Sequence, residues 1–173
     1  MNEQFNTISM QEAKRAVEGL VSRLALLHIA FSKTIVQELS EERGKDLVAK
    51  AIIDYGQRIA KRVQSSLPDL PSFGVYDDSG QDEEGRYFAR GCNLAKVFQE
   101  QDASDVGYLY CYMDAAKSMA ESPETKLIHL TCEACGDENC TFDILPTTEE
   151  ERKAFSNQTG IWRKVDSRLY KYQ

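Results

Sequence analysis

Apolar residues recur every three or four positions over residues 9–39, which is the spacing of one face of an α-helix. Ser9 followed by Glu12 has the sequence of a capping box, so we expect the helix to begin there. Its core-facing side consists of Ala13, Val17, Leu20, Val21, Leu24, Leu27, His28, Phe31 and Ile35. A second helical pattern runs from the N-cap Ser40 to Val63. The two helices should form an antiparallel hairpin over residues 9–64.

The pattern changes over residues 65–85, where prolines, glycines and acidic side chains interrupt the apolar periodicity. The acidic residues lack the spacing and the closing glutamate of a calcium-binding loop. We therefore expect a solvated acidic loop with at most a short strand at Phe73–Tyr76.

Residues 86–145 combine strand and helix patterns. We expect a strand over Arg86–Cys92 that ends at Gly91, a short helix from Asn93 to Gln101, and one helix from Ser104 to Glu121. Residues 126–132 and 140–145 alternate as strands around a turn at Gly136, which predicts a β-hairpin.

The remaining residues, 146–173, should form a C-terminal helix and a tail, with Thr148 and Glu151 as the helix cap. Residues 152–173 carry six basic residues and one acid, and we expect this tail to pack Trp162, Leu169 and Tyr170 against an acidic body. The order of elements predicts one α+β domain over residues 1–173. In it, the long helical hairpin packs on a small antiparallel sheet with further helices.

Composition narrows the classes of function. The chain has 173 residues with 42% hydrophobic and 28% charged residues, which is typical of one globular domain. A net charge of −7 disfavours nucleic-acid binding. No uninterrupted apolar run reaches the roughly 20 residues of a membrane span, and the N-terminus lacks a signal peptide pattern. Five cysteines without a secretion signal predict a cytoplasmic protein whose cysteines are reduced thiols, metal ligands or a nucleophile.

The cysteines concentrate in the C-terminal half. Cys132, Cys135 and Cys140 lie within nine residues, and Cys111 is three residues before Asp114 on one predicted helix face. Thiolates and imidazoles are the ligands that zinc prefers, usually four of them. On an ideal strand the side chains of His129 and Cys132 would point to opposite faces of the sheet. Both could therefore bind one ion only if a β-bulge lies between them. The same residues also fit a core without metal, in which they are buried thiols and a hydrogen-bonded histidine.

Cys92 and His28, which lie outside this cluster, and Asp114, which lies beside it, bear on catalysis. Cys92 precedes a predicted helix, whose N-terminus should lower the pKa of a thiol and make it a nucleophile. The alternative is a buried free cysteine. His28 lies on the apolar face of the first helix, where a core role is more common than a role as base. Asp114 could serve as a general base or as a further metal ligand.

Three segments together resemble the L-2-amino-thiazoline-4-carboxylic acid hydrolase family: GRYFARGC, DVGYLYCYMD and ACGDENCTFDI. The family pattern falls on Cys92, on Cys111 with Asp114, and on residues 136–142, and the likeness covers residues 10–145. This resemblance implies hydrolytic opening of a small thiazoline or cyclic amidine ring, with Cys92 and Asp114 as catalytic residues.

The hairpin is also similar to the vinyl-reductase or hydrocarbon-binding domain, which implies a small-molecule pocket beside a structural zinc. Carried onto this chain, the implied zinc ligands are Cys111, His129, Cys132 and Cys140, with His129 in place of a glutamate and Cys135 as an alternative thiol.

The sequence is compatible with three functions: a small-molecule hydrolase, a ligand-binding or sensor domain with structural zinc, and an iron–sulfur protein. The last is disfavoured because the cysteine spacing matches no common cluster motif. The long amphipathic helices also predict a homodimer.

Overall fold

A computed structural model describes residues 8–63, 74–157 and 160–172. It confirms the α+β class, with a long N-terminal helix and a small antiparallel sheet. The helices are α1 (Met10–Glu38), α2 (Glu41–Val63), α3 (Asn93–Glu100), α4 (Ser104–Gly107), α5 (Tyr112–Glu121), α6 (Glu149–Asn157) and α7 (Ser167–Lys171). The strands are β1 (Asp78–Gln81), β2 (Tyr87–Arg90), β3 (Thr125–Thr131) and β4 (Cys140–Pro146). Short 3₁₀ segments cover Tyr108–Cys111, Glu133–Cys135 and Gly160–Val165.

The helical hairpin agrees with the sequence prediction at both ends. The Ser9 hydroxyl accepts from the Glu12 amide, and the Glu12 carboxylate accepts from the Ser9 amide, so the capping box is complete. Helix α2 then packs on α5, where Gly56 permits close approach. A Cβ at Gly56 would lie 2.7 Å from the Cβ of Ala116. The two helices of the hairpin therefore pack on the second half of the chain as well as on each other.

The four strands form one antiparallel sheet in the order β1-β2-β4-β3. The prediction of a loop throughout residues 65–85 is wrong over β1, which lies inside the acidic stretch. All four residues of β1 are exposed, so backbone pairing with β2 holds this edge strand rather than side-chain burial. Asp82 closes the turn by accepting from the amides of Glu84 and Arg86. Of the strand expected at Phe73–Tyr76, Phe73 lies outside the described residues and Tyr76 forms an isolated bridge.

The single helix predicted over residues 104–121 is instead three segments: α4, the 3₁₀ segment Tyr108–Cys111, and α5. Tyr108, Leu109, Tyr110 and Tyr112 are all buried. A segment that is buried on every side has no polar face, so its sequence does not show the period of an amphipathic helix. The tighter 3₁₀ turn accommodates this burial. The break sets the position of Cys111, which is the last residue of the 3₁₀ segment.

The C-terminal residues pack much as predicted. The capping box between Thr148 and Glu151 begins α6. Trp162 and Leu169 are buried, while Tyr170 is 38% exposed and contributes less to the core than expected. Among the described residues, α1 alone has the length and apolar composition of a membrane-crossing helix. That is weak evidence for a span, because a helix of a soluble core passes the same test.

Candidate metal centre

A β-bulge brings two predicted ligands, His129 of β3 and Cys132 directly after it, to one side of the sheet. The register between β3 and β4 shifts between His129 and Thr131, so the residues after the shift change face. Thr131 fills the irregular site with its hydroxyl, which pairs with the hydroxyl of Thr141 at 2.8 Å. On a regular strand His129 and Cys132 would point to opposite faces. The bulge predicted from the sequence removes this obstacle to a shared site.

Three of the predicted ligands converge in the structure. The ligand atoms of Cys111, His129 and Cys132 all lie within 4.8 Å of one another. The two sulfur atoms are 3.8 Å apart, and His129 and Cys132 are buried. Two thiols and one imidazole in a buried group are a donor set that zinc accepts, so these residues could hold a metal ion.

Cys135 and Cys140 border this group without belonging to it. Both thiols make side-chain contacts with Cys132, and the Cys140 sulfur accepts the amide N–H of Glu133 at 3.3 Å. Contacts with Cys111, Cys135 and Cys140 hold the pKa of Cys132 below its ordinary value, because these thiols donate to its thiolate. The pKa values of Cys111, Cys135 and Cys140 are correspondingly raised, chiefly by their contact with Cys132.

His129 lies between two carboxylates. Its Nδ1 donates to Asp166 Oδ2 at 2.8 Å, and its Nε2 lies 3.5 Å from Asp114 Oδ2. Burial acts to lower the pKa of His129, but Asp166, Cys132 and Asp114 outweigh burial and raise it to about 9. The Asp166 bond leaves Nε2 directed towards the thiols, which is how carboxylates orient metal-binding histidines.

Asp114 lies beside the group rather than in it. It occupies the first turn of α5, one turn beyond Cys111, and its side chain is mostly buried. Burial raises the pKa of Asp114, and the neighbouring His129 offsets that effect only in part. At this distance Asp114 would stabilise a positive charge on His129.

Cys92 lies at the N-terminus of α3 as the sequence predicts, but its surroundings do not lower its pKa. The amides of Gly91 and Cys92 both donate to the buried carboxylate of Glu133, each at 2.8 Å. Glu133 therefore takes the two amides just before α3, while the Cys92 sulfur accepts from the amides of Leu94 and Ala95 in the first turn. Burial raises the pKa of Cys92 to about 11, the amides of Leu94 and Ala95 lower it only in part, and Glu133 adds to the rise. The predicted lowering of this pKa is wrong.

The sequence reasoning missed Asp166 and Glu133 as site residues. Asp166 is fully buried, accepts the His129 amide as well as its ring nitrogen, and caps α7. The one signal for it was a lone acid in a basic tail, followed by Ser and Arg. Nearby, Arg168 pairs with Asp137 at 2.7 Å, and Asp137 accepts the Cys132 amide. The tail thus holds the cysteine hairpin at two points.

An apolar cavity of about 380 Å³ lies between α1, α2 and Tyr110 of the 3₁₀ segment Tyr108–Cys111. Its polar groups are few: His28, Ser32, Tyr55 and Tyr110. His28 is a hydrogen-bonded core residue here, since its Nε2 donates to the Val106 carbonyl at 3.0 Å. Within the described residues, the wall of this cavity includes neither Cys92 nor Asp114, and none of the three converging ligands.

A scan against known protein families finds no match for this chain, and a search of curated proteins finds none either. The resemblances to the thiazoline hydrolase family and to the hydrocarbon-binding domain therefore rest on the motifs alone.

Proposed function

We propose that this protein is a cytoplasmic small-molecule-binding domain in which a zinc ion stabilises the wall of an apolar ligand cavity. The observation that supports this proposal most directly is that Tyr110 and Cys111 are consecutive residues. Tyr110 lines the cavity, and Cys111, the next residue of the same 3₁₀ segment, belongs to the convergent ligand group. Any ion bound at Cys111 therefore acts on the backbone that forms one cavity wall.

The donor set favours a closed, structural zinc site. Cys111, His129 and Cys132 would supply three ligands, and Cys140 is the best fourth because it contacts Cys132 and accepts an amide N–H. Cys135 is the alternative fourth ligand. A site with four protein ligands contributes folding free energy and leaves no open position for water.

The cavity wall indicates the class of ligand. Leu24, Leu27, Phe31, Ile35, Val48 and Ile52 supply most of the lining. The hydroxyls of Tyr110 and Tyr55 are 3.4 Å apart at the wall and offer one polar contact. A neutral, compact, largely apolar molecule with a single hydrogen-bonding group fits this lining, because a charged ligand would lose its hydration without a partner.

The proposal is tested by filling the cavity without touching the metal group. Ala51 lines the cavity, and the neighbouring Lys50 is exposed and does not. We expect Ala51→Trp to bind the neutral dye N-phenyl-1-naphthylamine at least about tenfold more weakly than the wild type, with zinc content unchanged. Lys50→Trp should bind the dye normally. Equal binding by all three proteins, or absence of dye binding, would overturn the proposal.

A second function, hydrolysis, is supported by one arrangement. His129 lies between Asp166 and the thiols of Cys111 and Cys132, which is the order of orienting acid, base and nucleophile. An assay for thiol release from 2-amino-thiazoline-4-carboxylate tests it with metal-free protein whose circular dichroism spectrum shows that it is still folded. Turnover that disappears in Asp166→Asn would support hydrolysis, and no turnover would exclude this substrate.

A further inference from the structure

Helix α1 carries two apolar faces. The face towards the core is centred on Ala25, His28, Ile29 and Ser32, all of which are buried. A second stripe follows a strict spacing of three and four residues: Met10, Ala13, Val17, Leu20, Leu24, Leu27 and Phe31. This is the a and d pattern of a coiled-coil seam over three heptads. One helix therefore contains a seam beyond the face that its own domain uses.

The stripe is largely uncovered. Met10 is 74% exposed, Leu20 62%, Leu27 54% and Phe31 62%. Leu47 of α2, one helical turn before the cavity residue Ala51, is also exposed. Contiguous apolar surface of this kind marks an interaction site, because it is costly to leave in water.

We propose that α1 pairs with α1 of a second copy of this chain along this stripe, and that the partner helix closes the open side of the cavity. The exposed Leu27 and Phe31 form part of the cavity wall, so the cavity opens on the stripe. A helix seated on the stripe would cover that opening. The closing role rests on the proposed ligand-binding function, whereas the pairing itself does not.

A second copy suits the stripe better than other occupants. A seam of identical spacing is complementary to itself across a twofold axis, so two copies bury the same residues in one contact. Residues 24–32 contain no acidic or basic side chain apart from the buried His28, and the outer flank of the stripe carries the small residues Ala16 and Ala30. Small flanking side chains permit close approach of a partner helix.

A membrane is the main competitor, since α1 meets the length and composition test for a span. However, Lys33 of α1 donates to the Asp102 carbonyl at 2.9 Å, and the face of α1 that carries Ala25 and Ile29 is packed in the core. Removing α1 into a bilayer would expose that packed face. The net charge of −7 also opposes binding to anionic lipid surfaces.

Sedimentation velocity on the full chain tests the pairing. The wild type should sediment with the mass of two chains, and the double variant Met10→Glu/Leu20→Glu, whose two residues lie on the stripe but outside the cavity wall, with the mass of one, 19.6 kDa. Leu26→Glu is the matched control, because Leu26 is 47% exposed and lies off the stripe. It should remain dimeric. A monomeric wild type, a dimeric double variant, or a monomeric Leu26→Glu would each overturn the proposal.

Two further measurements separate the possible failures. A wild type that is monomeric and co-sediments with phosphatidylcholine vesicles would assign the stripe to a membrane. For the closing role, the monomeric double variant should bind N-phenyl-1-naphthylamine at least about tenfold more weakly while retaining its zinc. Unchanged dye binding in that monomer would refute closure by the partner and leave ligand binding by one chain intact.

Discussion

Asp166 Oδ2 accepts hydrogen bonds from both the backbone amide and the ring Nδ1 of His129, at 2.9 and 2.8 Å. The other oxygen of the same carboxylate accepts the amides of Arg168 and Leu169 at the start of α7. One buried side chain therefore joins the C-terminal helix to the strand that carries the candidate metal ligand.

Asp166→Asn tests this link with almost no change in shape. The amide nitrogen would donate where the carboxylate accepted, which opposes the His129 amide and moves the ring proton towards the metal-facing Nε2. We expect zinc affinity to fall about 10- to 100-fold and the protein to lose about 1–3 kcal/mol of stability. Competition with a chelator dye measures the affinity. Asp78→Asn, on the exposed strand β1, is the control and should change neither quantity.

Local patterns predicted the parts of the fold that are determined locally. The period of α1, the capping boxes at Ser9 and Thr148, and the hairpin around Gly136 depend on residues a few positions apart. The need for a bulge between His129 and Cys132 also followed from side-chain alternation alone, and the register shift confirms it.

The features that the sequence could not predict depend on distant partners. Strand β1 exists because of its pairing with β2, and its own sequence, Asp-Ser-Gly-Gln, gives no strand signal. The pKa of Cys92 is raised chiefly by burial under distant parts of the chain, and to a smaller extent by Glu133, which is 41 residues away. The break before α5 follows from burial on all sides, which no periodicity records.

Two helical glycines, one at the contact between α2 and α5 and one with open space around it, should respond oppositely in stability to substitution by alanine. Gly56→Ala should destabilise the protein by about 1–3 kcal/mol, because its Cβ would lie 2.7 Å from Ala116 and 3.1 Å from the Met113 carbonyl. Gly19→Ala is the matched helical control, since a Cβ there has no neighbour within 4 Å. It should stabilise the protein by up to about 1 kcal/mol. Urea denaturation measures both, and stabilisation by Gly56→Ala would contradict the close packing.

His28 should make stability depend on pH. Burial lowers the pKa of His28 below its ordinary value of 6.5, and the bond to Val106 only partly opposes this. Between the folded and unfolded pKa values the unfolded chain binds more protons, so the free energy of unfolding falls as the pH drops below about 6.5. His28→Gln, which can still donate to Val106, should lose less stability than the wild type between about pH 7 and about pH 5.5.

The comparison for His28 is made on zinc-replete protein, with zinc content checked at both pH values. Both proteins retain His129, so its contribution is common to the two. Equal losses of stability in the two proteins would show that His28 is not the group responsible.

The central claim is that Cys132 helps to hold a zinc ion whereas Cys92, another buried thiol, does not. Elemental analysis of protein purified without a metal-affinity column tests it most directly. We expect about one zinc per chain in the wild type and in Cys92→Ser, and loss of zinc together with lower thermal stability in Cys132→Ser. A wild-type protein without zinc, or full zinc retention by Cys132→Ser, would contradict the account.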